Sequence, residues 1–410
     1  MTTATLQPDN DALIARGWAA LPASYRIPEV APSLGEARAW CKRLAESHYE
    51  NFHVVSWFLP PALRPHFHAI YAYCRVSDDL GDEVGSAAQA LALLDLWGRE
   101  LDACYEGRAR HPVFVALAET IRVCSIPKEP FADLLTAFRQ DQTVQRYATM
   151  EDVLGYCRYS ANPVGRLVLY ACGEADEERF RLSDATCSAL QLANFWQDVR
   201  VDFAKGRVYI PQAEMQRFGV TDETIAQGVA TPEFRALMRH EIEYARALFE
   251  RGLPLIGMVG RELALDLDLF SRGGLEILRA VERRDYDVLS GRPAISKGTK
   301  FKLALRAAGS KLLPFLGLGG GHSTRKTACR TKSHWMRPMP RAGRLPGAKR
   351  RTSITPSWLC PCRGATPSAP STPSCAGPTI WPTTRAFRAK SAASGWTHGW
   401  RSGAKYAVAA

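Results

Sequence analysis

From residue 33 to 287 the apolar positions recur at intervals of three and four, with few prolines and little of the strict alternation that marks strands, so the pattern predicts an all-α fold. The spacing predicts helices over residues 33–50, 61–80, 87–106, 112–124, 130–144, 150–172, 182–203, 211–218, 231–253 and 264–284. Their starts carry side chains able to accept from the free N–H groups of a first turn: Ser33 before the first helix, and Thr149 followed by Glu151 and Asp152 before the sixth. Short polar or Gly/Pro joints at 105–111, 125–129, 173–178 and 204–210 separate them. Joints of that length suit one large helical domain, residues 1–320, built around a central cavity.

No apolar run reaches the roughly 18 residues that a membrane-spanning helix needs, and the first residues, MTTATLQPDNDALIARGWAA, have neither a basic start nor an apolar stretch behind it. The sequence therefore predicts a cytoplasmic protein. Cys41, Cys74, Cys104, Cys124, Cys157, Cys172 and Cys187 show no CxxC or Cys/His zinc spacing, which suits reduced, buried thiols.

Charge divides the chain sharply. Of its 410 residues, 1–320 hold 37 of the 53 Lys+Arg and all 41 Asp+Glu, whereas 321–410 hold 16 Lys+Arg and no acid. The net charge of +12 thus belongs to the tail, and it gives no ground for expecting nucleic acid as a partner of the main domain. A basic amphipathic run at 296–316 reads either as a helix docked on the bundle with a solvated Lys/Arg face or as a peripheral contact with an anionic membrane surface.

Two strings carry chemistry. The first, YAYCRVSDDLGDE, spans residues 71–83; Asp78 and Asp82 are four apart and so project from one helical face, a turn apart. Two like charges at that distance are costly unless a cation lies between them, and an all-oxygen donor set favours Mg2+ over Zn2+. The second, QLANFWQDVRVD, is followed by KGRVYIP and places Asn194, Asp198 and Asp202 at i, i+4 and i+8 on one stripe. Two such stripes facing each other across a cavity can hold Mg2+ ions against a diphosphate, a viable leaving group once its charge is neutralised. Arg75, Lys205 and Arg207 are placed to donate to its oxygens.

These strings, with NFHVVSWFLPPALRPHFHAIYAYCRVSDDLGDE, YCRYSANPVGRLVLYACG and ANFWQDVRVDFAKGRVYIP, resemble the head-to-head prenyl synthases, the family of squalene, dehydrosqualene and phytoene synthases. The similarity runs from about Asn51 to Arg292 and is strongest to the bacterial hydroxysqualene synthases of hopanoid biosynthesis. It implies a class I isoprenoid-synthase-like fold, antiparallel helices around a cavity with Mg2+ at its mouth. By position, Asp78, Asp82, Asp198 and Asp202 match the metal-binding aspartates, with Asn194 one turn before the second pair. Tyr71 and Arg75 match diphosphate-side residues, Tyr156 and Tyr286 match cavity tyrosines, and Arg207 and Arg292 match further diphosphate contacts. Two departures, Ser160-Ala161-Asn162-Pro163 for the family's usual Val-Ala-Gly-small segment and Gln197 for a frequent Arg, imply an altered cavity floor.

The implied chemistry is ionisation of a prenyl diphosphate, with the carbocation steered by apolar and aromatic walls. For the hydroxysqualene group the substrate is presqualene diphosphate and one water captures the cation, without NADPH. An NADPH-dependent squalene synthase, or a phytoene synthase, acting on farnesyl or another prenyl diphosphate, is the alternative within the family. A non-catalytic assembly paralogue is the alternative outside it, against which stands the presence of all four aspartates. His66 and His68, two apart, are poorly spaced as ligands on one helix and read as packing or surface residues, and Trp18, Trp40, Trp57, Trp97 and Trp196 read as core. No GxSxG or HExxH string appears, and Gly317-Leu-Gly-Gly-Gly321 lacks the spacing of a dinucleotide-binding turn.

The tail, 321–410, holds 10 Pro and 5 of the 10 Trp yet no acid, a composition that suits neither a folded domain nor an ordinary disordered segment. It reads either as a genuine unstructured basic extension or as a frame-shifted start of a second, related synthase encoded next door, a functional partner. Joining the last nucleotide of each codon to the first two of the next permits Asp-Asp-Leu-Ala-Asp-Asp around residues 379–384, with the alanine forced by Trp381-Pro382. The same regrouping permits Tyr-Ala-Phe at 372–374 and Asn at 352. That asparagine precedes the acidic string by the interval separating Asn51 from Asp78.

Overall fold

Ser86, Thr149, Asp176, Thr221 and Thr231 each accept a hydrogen bond from a first-turn N–H and start a helix. The computed structural model describes residues 10–47 and 60–294, and among them the ordered elements are helical. They run α1 (Asn10–Ala20), a 3-10 turn (Ala23–Tyr25), α2 (Leu34–Ser47), α3 (Arg64–Asp82), α4 (Ala87–Tyr105), α5 (Pro112–Cys124), α6 (Glu129–Gln140), α7 (Met150–Ser160) and α8 (Asn162–Ala171). There follow α9 (Glu177–Phe203), α10 (Gln212–Arg217), α11 (Asp222–Gln227), α12 (Pro232–Gly252), a 3-10 turn (Leu253–Gly257) and α13 (Arg261–Arg283). The only strand-like pairing among the described residues is an isolated parallel bridge, Arg146 with Val208. Asn51, Trp57, the amphipathic run at 296–316 and the tail at 321–410 lie outside the described residues.

The all-α expectation holds, with local corrections. The single helix predicted over 150–172 is two, because Pro163 has no N–H to give and its ring opposes the carbonyl four residues back. The helix predicted over 130–144 stops at Gln140, where the chain turns through Asp141–Thr143. The helix predicted over 61–80 begins at Arg64 and continues to Asp82, so both aspartates of the first string are helical. Helices α1 and α11 have no counterpart among the predicted elements.

Two large apolar clusters fill most of the interior, with a small third around Phe180 and Leu255. One joins α2 to α6 and α8 and contains Trp97, Phe114, Phe131 and Phe138. The other gathers α7 and α9 to α13 around Trp196, Phe195, Phe234 and Phe249. Helix α9 passes between neighbours on every side, and each residue from Ala185 to Val199 is buried. A helix enclosed all round has no solvent face to offer, so the polar side chains it carries at Asn194, Gln197, Asp198 and Asp202 are placed in the interior by their neighbours. All seven cysteines of these segments carry free thiols, five of them buried. Among the described residues no helix is long and apolar enough to cross a membrane.

Candidate functional site

The last turns of α3 present the first acidic string. Asp78 is wholly buried and Asp82, at the helix end, half-buried. Between them Asp79 is otherwise engaged: Arg75 donates Nε–H to its Oδ2 at 3.0 Å and brings Nη2 to 2.6 Å from its Oδ1, while Tyr25 donates its hydroxyl to Oδ2 at 2.8 Å. Arg75 Nη1 stands 4.0 Å from Asp78 Oδ2. Tyr71, one turn before Arg75, is buried; burial raises its hydroxyl pKa, Arg75 opposes the shift, and Asp78 and Asp79 add to it.

The second acidic string occupies the C-terminal third of α9. Asn194 donates to the Leu190 carbonyl at 2.9 Å, and Asp198 and Asp202, a turn apart, are each 4% exposed. Burial, and next the charge of Asp198, push the Asp202 carboxyl up to about 7, against the pull of Lys205, Arg207 and Arg292. Its Oδ2 is buried without a hydrogen-bond partner among the described residues. Arg292, beyond α13, forks onto Asp198, with Nε on Oδ1 and Nη2 3.0 Å from Oδ2, and gives Nη2 to Gln197 Oε1 at 3.1 Å. Gln197 in turn donates to the Pro293 carbonyl. The departure at Gln197 is therefore a fastening for the segment after α13.

After α9 the chain doubles back: the N–H groups of Lys205 and Arg207 return to the Asp202 carbonyl at 2.9 and 3.0 Å. Gly206 makes that turn possible at φ 79°, a region that side-chain-bearing residues rarely adopt. Lys205 is exposed, whereas Arg207 is half-buried and donates to the Asp141 carbonyl at 3.3 Å. Burial disfavours the Arg207 charge, but Tyr209, Asp141 and Asp82 outweigh it and hold the guanidinium firmly protonated. Arg207 thus feels the charge of Asp82 on α3, and Asp202 on α9 in turn feels that of Arg207. Nearby, Gln142 bridges the Gly81 and Phe138 carbonyls at 3.1 and 3.2 Å.

An aromatic group packs around the end of α9. Phe195 and Tyr209 stack at 3.7 Å and 5°, and Tyr147 and Tyr156 sit 5.8 and 5.9 Å from the Tyr209 ring. Tyr156 is fully buried, and burial followed by the nearby Asp141 carboxylate keeps its hydroxyl protonated. Of these residues only Tyr156 stands out in the sequence. Tyr209 sits in the KGRVYIP string without a mark of its role; Asp141 and Tyr147 fall at and beyond an end of α6 that the apolar pattern misplaces; nothing near Tyr25 marks it. Tyr286 follows α13 at φ 61°, half-buried with the Arg239 guanidinium 5.0 Å from its ring centroid, and it packs against the second apolar cluster, to which Tyr156 and Phe195 also belong. In the altered segment, Asn162 accepts from Ser188 at 2.9 Å. His66 contacts Thr120 at 3.0 Å, a packing role as expected.

The donor set fits a hard divalent cation: buried carboxylates one turn apart, an orphaned oxygen on Asp202, and a guanidinium already resting on Asp198 where positive charge is favoured. Among the described residues no three His, Cys, Asp or Glu side chains close on one point as a metal cage. Mg2+ does not need one, since it takes one or two carboxylates and completes its shell with water and phosphate oxygens. A depression of about 610 Å³ on the outer face of α4, lined by Arg99, Glu100, Arg108 and Arg110 among others, contains none of these residues.

Residues 45–299 match the squalene/phytoene synthase family. The chain is similar to phytoene synthase 1 of Zea mays, 30% identical over 299 residues covering 71% of this chain and 72% of that one. It is also 30% identical to 15-cis-phytoene synthase of Synechococcus elongatus, covering 63% and 88%. Among solved structures it resembles the squalene synthase HpnC of Alicyclobacillus acidocaldarius, at 45% identity and TM-score 0.60 over 66% of this chain and 99% of that one. A dehydrosqualene synthase crystallised with a ligand is 25% identical, with TM-score 0.61, covering 67% and 96%.

Proposed function

The chain belongs to the squalene/phytoene synthase family, enzymes that act on prenyl diphosphates, and from that premise we propose that it converts presqualene diphosphate to hydroxysqualene with Mg2+ as its metal. The observation that carries the reading is the hydrogen-bonded link between the two strings: the Arg207 N–H returns to the Asp202 carbonyl at the end of α9, its guanidinium donates to the Asp141 carbonyl, and the adjoining Gln142 donates to the Gly81 carbonyl of α3. The squalene branch is favoured over the phytoene branch by 45% identity to a squalene synthase against 30% to phytoene synthases.

Asp78 and Asp82 on one side and Asp198 and Asp202 on the other would hold Mg2+, whose charge makes the diphosphate a competent leaving group. Arg75, Arg207 and Arg292 carry donors in planar forks suited to its oxygens, and exposed Lys205 adds a further positive charge. Asn194 braces the helix turn before the second pair. Below, Tyr156 with Tyr147, Tyr209 and Phe195 offers ring faces whose quadrupoles attract a cation. Their packing also excludes bulk water, so that a single bound water adds to the cation and loses a proton to give the alcohol. Tyr71 lines the same side as Arg75. Tyr286 closes the far end of the wall in this reading, and 1–320 is the catalytic domain, working in the cytoplasm or at the membrane face that receives its lipid product.

The test is incubation of the purified full-length protein with Mg2+ and presqualene diphosphate, farnesyl diphosphate or a C20 prenyl diphosphate, with and without NADPH, followed by product identification. Hydroxysqualene from presqualene diphosphate without NADPH is the expected result. Squalene formed only with NADPH, or a C40 product from the C20 substrate, would replace this reading with the corresponding rival.

A further inference from the structure

Tyr25 precedes Asp79 by 54 residues and lies outside the stretch that matches the family, yet it touches the first acidic string directly. It ends the Ala23–Tyr25 turn, whose backbone closes through Tyr25 N–H to the Pro22 carbonyl at 2.9 Å. Its ring meets Trp40 of α2 edge-on at 6.1 Å and 62°, and the residue is 4% exposed. The turn and the Trp40 contact therefore set where the hydroxyl points. It points at Asp79 Oδ2, 2.8 Å away in a buried setting.

Asp79 links that hydroxyl to Arg75. A carboxylate 5% exposed is costly unless its oxygens are satisfied, and here Arg75 engages both while Tyr25 adds a third donor. An arginine held only by its own flexible stem samples many rotamers; one forked onto a fixed carboxylate keeps a single orientation. With Nε and Nη2 on Asp79, the Nη1 edge is left turned toward Asp78, 4.0 Å away, where the metal and the diphosphate would meet. The two adjacent aspartates thus have different roles, since Asp78 faces the cation position whereas Asp79 orients a guanidinium.

We propose that Tyr25 is a positioning residue for the diphosphate: its hydroxyl fixes Asp79, and through Asp79 it aims Arg75 at the leaving group. The inference rests on the functional reading above, since it needs a diphosphate beside Asp78. A tyrosine that merely tethered the N-terminal segment would contribute to stability and leave diphosphate binding untouched.

The test uses the full-length protein, inorganic diphosphate with Mg2+ as the binding probe, and farnesyl diphosphate as a second ligand, both followed by calorimetry. Tyr25→Phe keeps the ring against Trp40 and removes only the hydroxyl. It is expected to weaken diphosphate binding about tenfold, the scale of one hydrogen bond to a charged group, while Mg2+ binding alone is unchanged. In an Arg75→Gln background the same substitution is expected to have no further effect, because it acts through Arg75. Asp79→Asn, which keeps the shape and removes the charge, gives a second route should Tyr25→Phe fold poorly. It is expected to weaken diphosphate binding similarly, and Tyr25→Phe adds nothing to it. Undiminished diphosphate affinity in Tyr25→Phe, or an equal loss with and without Arg75, overturns the positioning role. A wild-type protein that binds no diphosphate in the presence of Mg2+ instead removes the functional reading, and the inference with it.

Discussion

Arg292 lies with its guanidinium across the carboxylate of Asp198, two nitrogens on two oxygens, and Gln197 holds the outer nitrogen in place. A cation from the chain itself thus occupies one face of a side chain assigned to Mg2+. The ion must share or displace it.

Arg292→Gln is therefore expected to strengthen Mg2+ binding in the absence of substrate, by several-fold to about tenfold given the strength of a charge-assisted pair. The same change should weaken binding of diphosphate with Mg2+, because the released guanidinium is then missing from the leaving group. Calorimetric titration of Mg2+ with and without inorganic diphosphate measures both. A substitution that weakened both equally would mean that Arg292 serves only to hold the fold.

Asp78→Ala and Asp198→Ala are each expected to abolish turnover while circular dichroism shows unchanged helical content. Neither carboxylate is needed to cap or close a helix, since α3 ends on Glu83 N–H to the Asp79 carbonyl and α9 runs past Asp198 to Phe203. Near-normal turnover in either would remove that residue from the metal site.

Glu241 of α12 gives a prediction about pH. It is fully buried, neither carboxylate oxygen has a hydrogen-bond partner among the described residues, and burial, with Glu214 adding, pushes its carboxyl up to about 8 from 4.5. Below pH 4.5 both folded and unfolded states hold the proton. As pH rises from there the unfolded state loses it first, so the folded state is progressively disfavoured until about 8, where it ionises too. Glu241→Gln removes this penalty, on the order of a few kcal/mol. Its melting temperature should exceed that of the wild type by a margin that widens from about pH 5 to 8 and then levels off. A constant margin would show that the carboxyl does not titrate in this range.

Gly252, the last residue of α12, lies close against α9. A Cβ there would lie 2.0 Å from Thr186 Oγ1 and 3.0 Å from the Leu182 carbonyl oxygen, and backbone cannot step aside as a side-chain tip can. Gly252→Ala should cost about 1–3 kcal/mol of stability, read as a lowered urea midpoint. Gly155, with nothing near its Cβ position, is the matched control and should gain slightly from the same change.

Resequencing the DNA across codons 310 to 360 is expected to reveal an inserted or deleted nucleotide that restores acids to the region now read as 321–410. An unbroken frame there would make the tail a genuine basic extension, and its affinity for anionic vesicles would then be the property to measure.

The helical class and the pairing of Asp78 with Asp82 and of Asp198 with Asp202 on one helix face are legible in the sequence because both depend on local spacing. A period of three and four needs no knowledge of partners, and residues four apart share a face in any helix. The break at Ala161 is readable in principle from Pro163, but the apolar pattern runs through it unbroken and hides it. Tyr25 and Asp141 are out of reach for a different reason. Each acquires its role from a contact with a distant segment, Asp79 for one and the Arg207 loop for the other, and a single sequence does not record pairings of that kind.

The enclosure of α9 also has a consequence for how the chain is made. The helix emerges from the ribosome before α12 and α13, which cover it, so its apolar surface must wait until the chain has been extended to Arg283. Every member of both large apolar clusters, the last being Leu289, is synthesised before codon 320. Whatever changes the message downstream acts on a polypeptide in which those cluster residues have already been made.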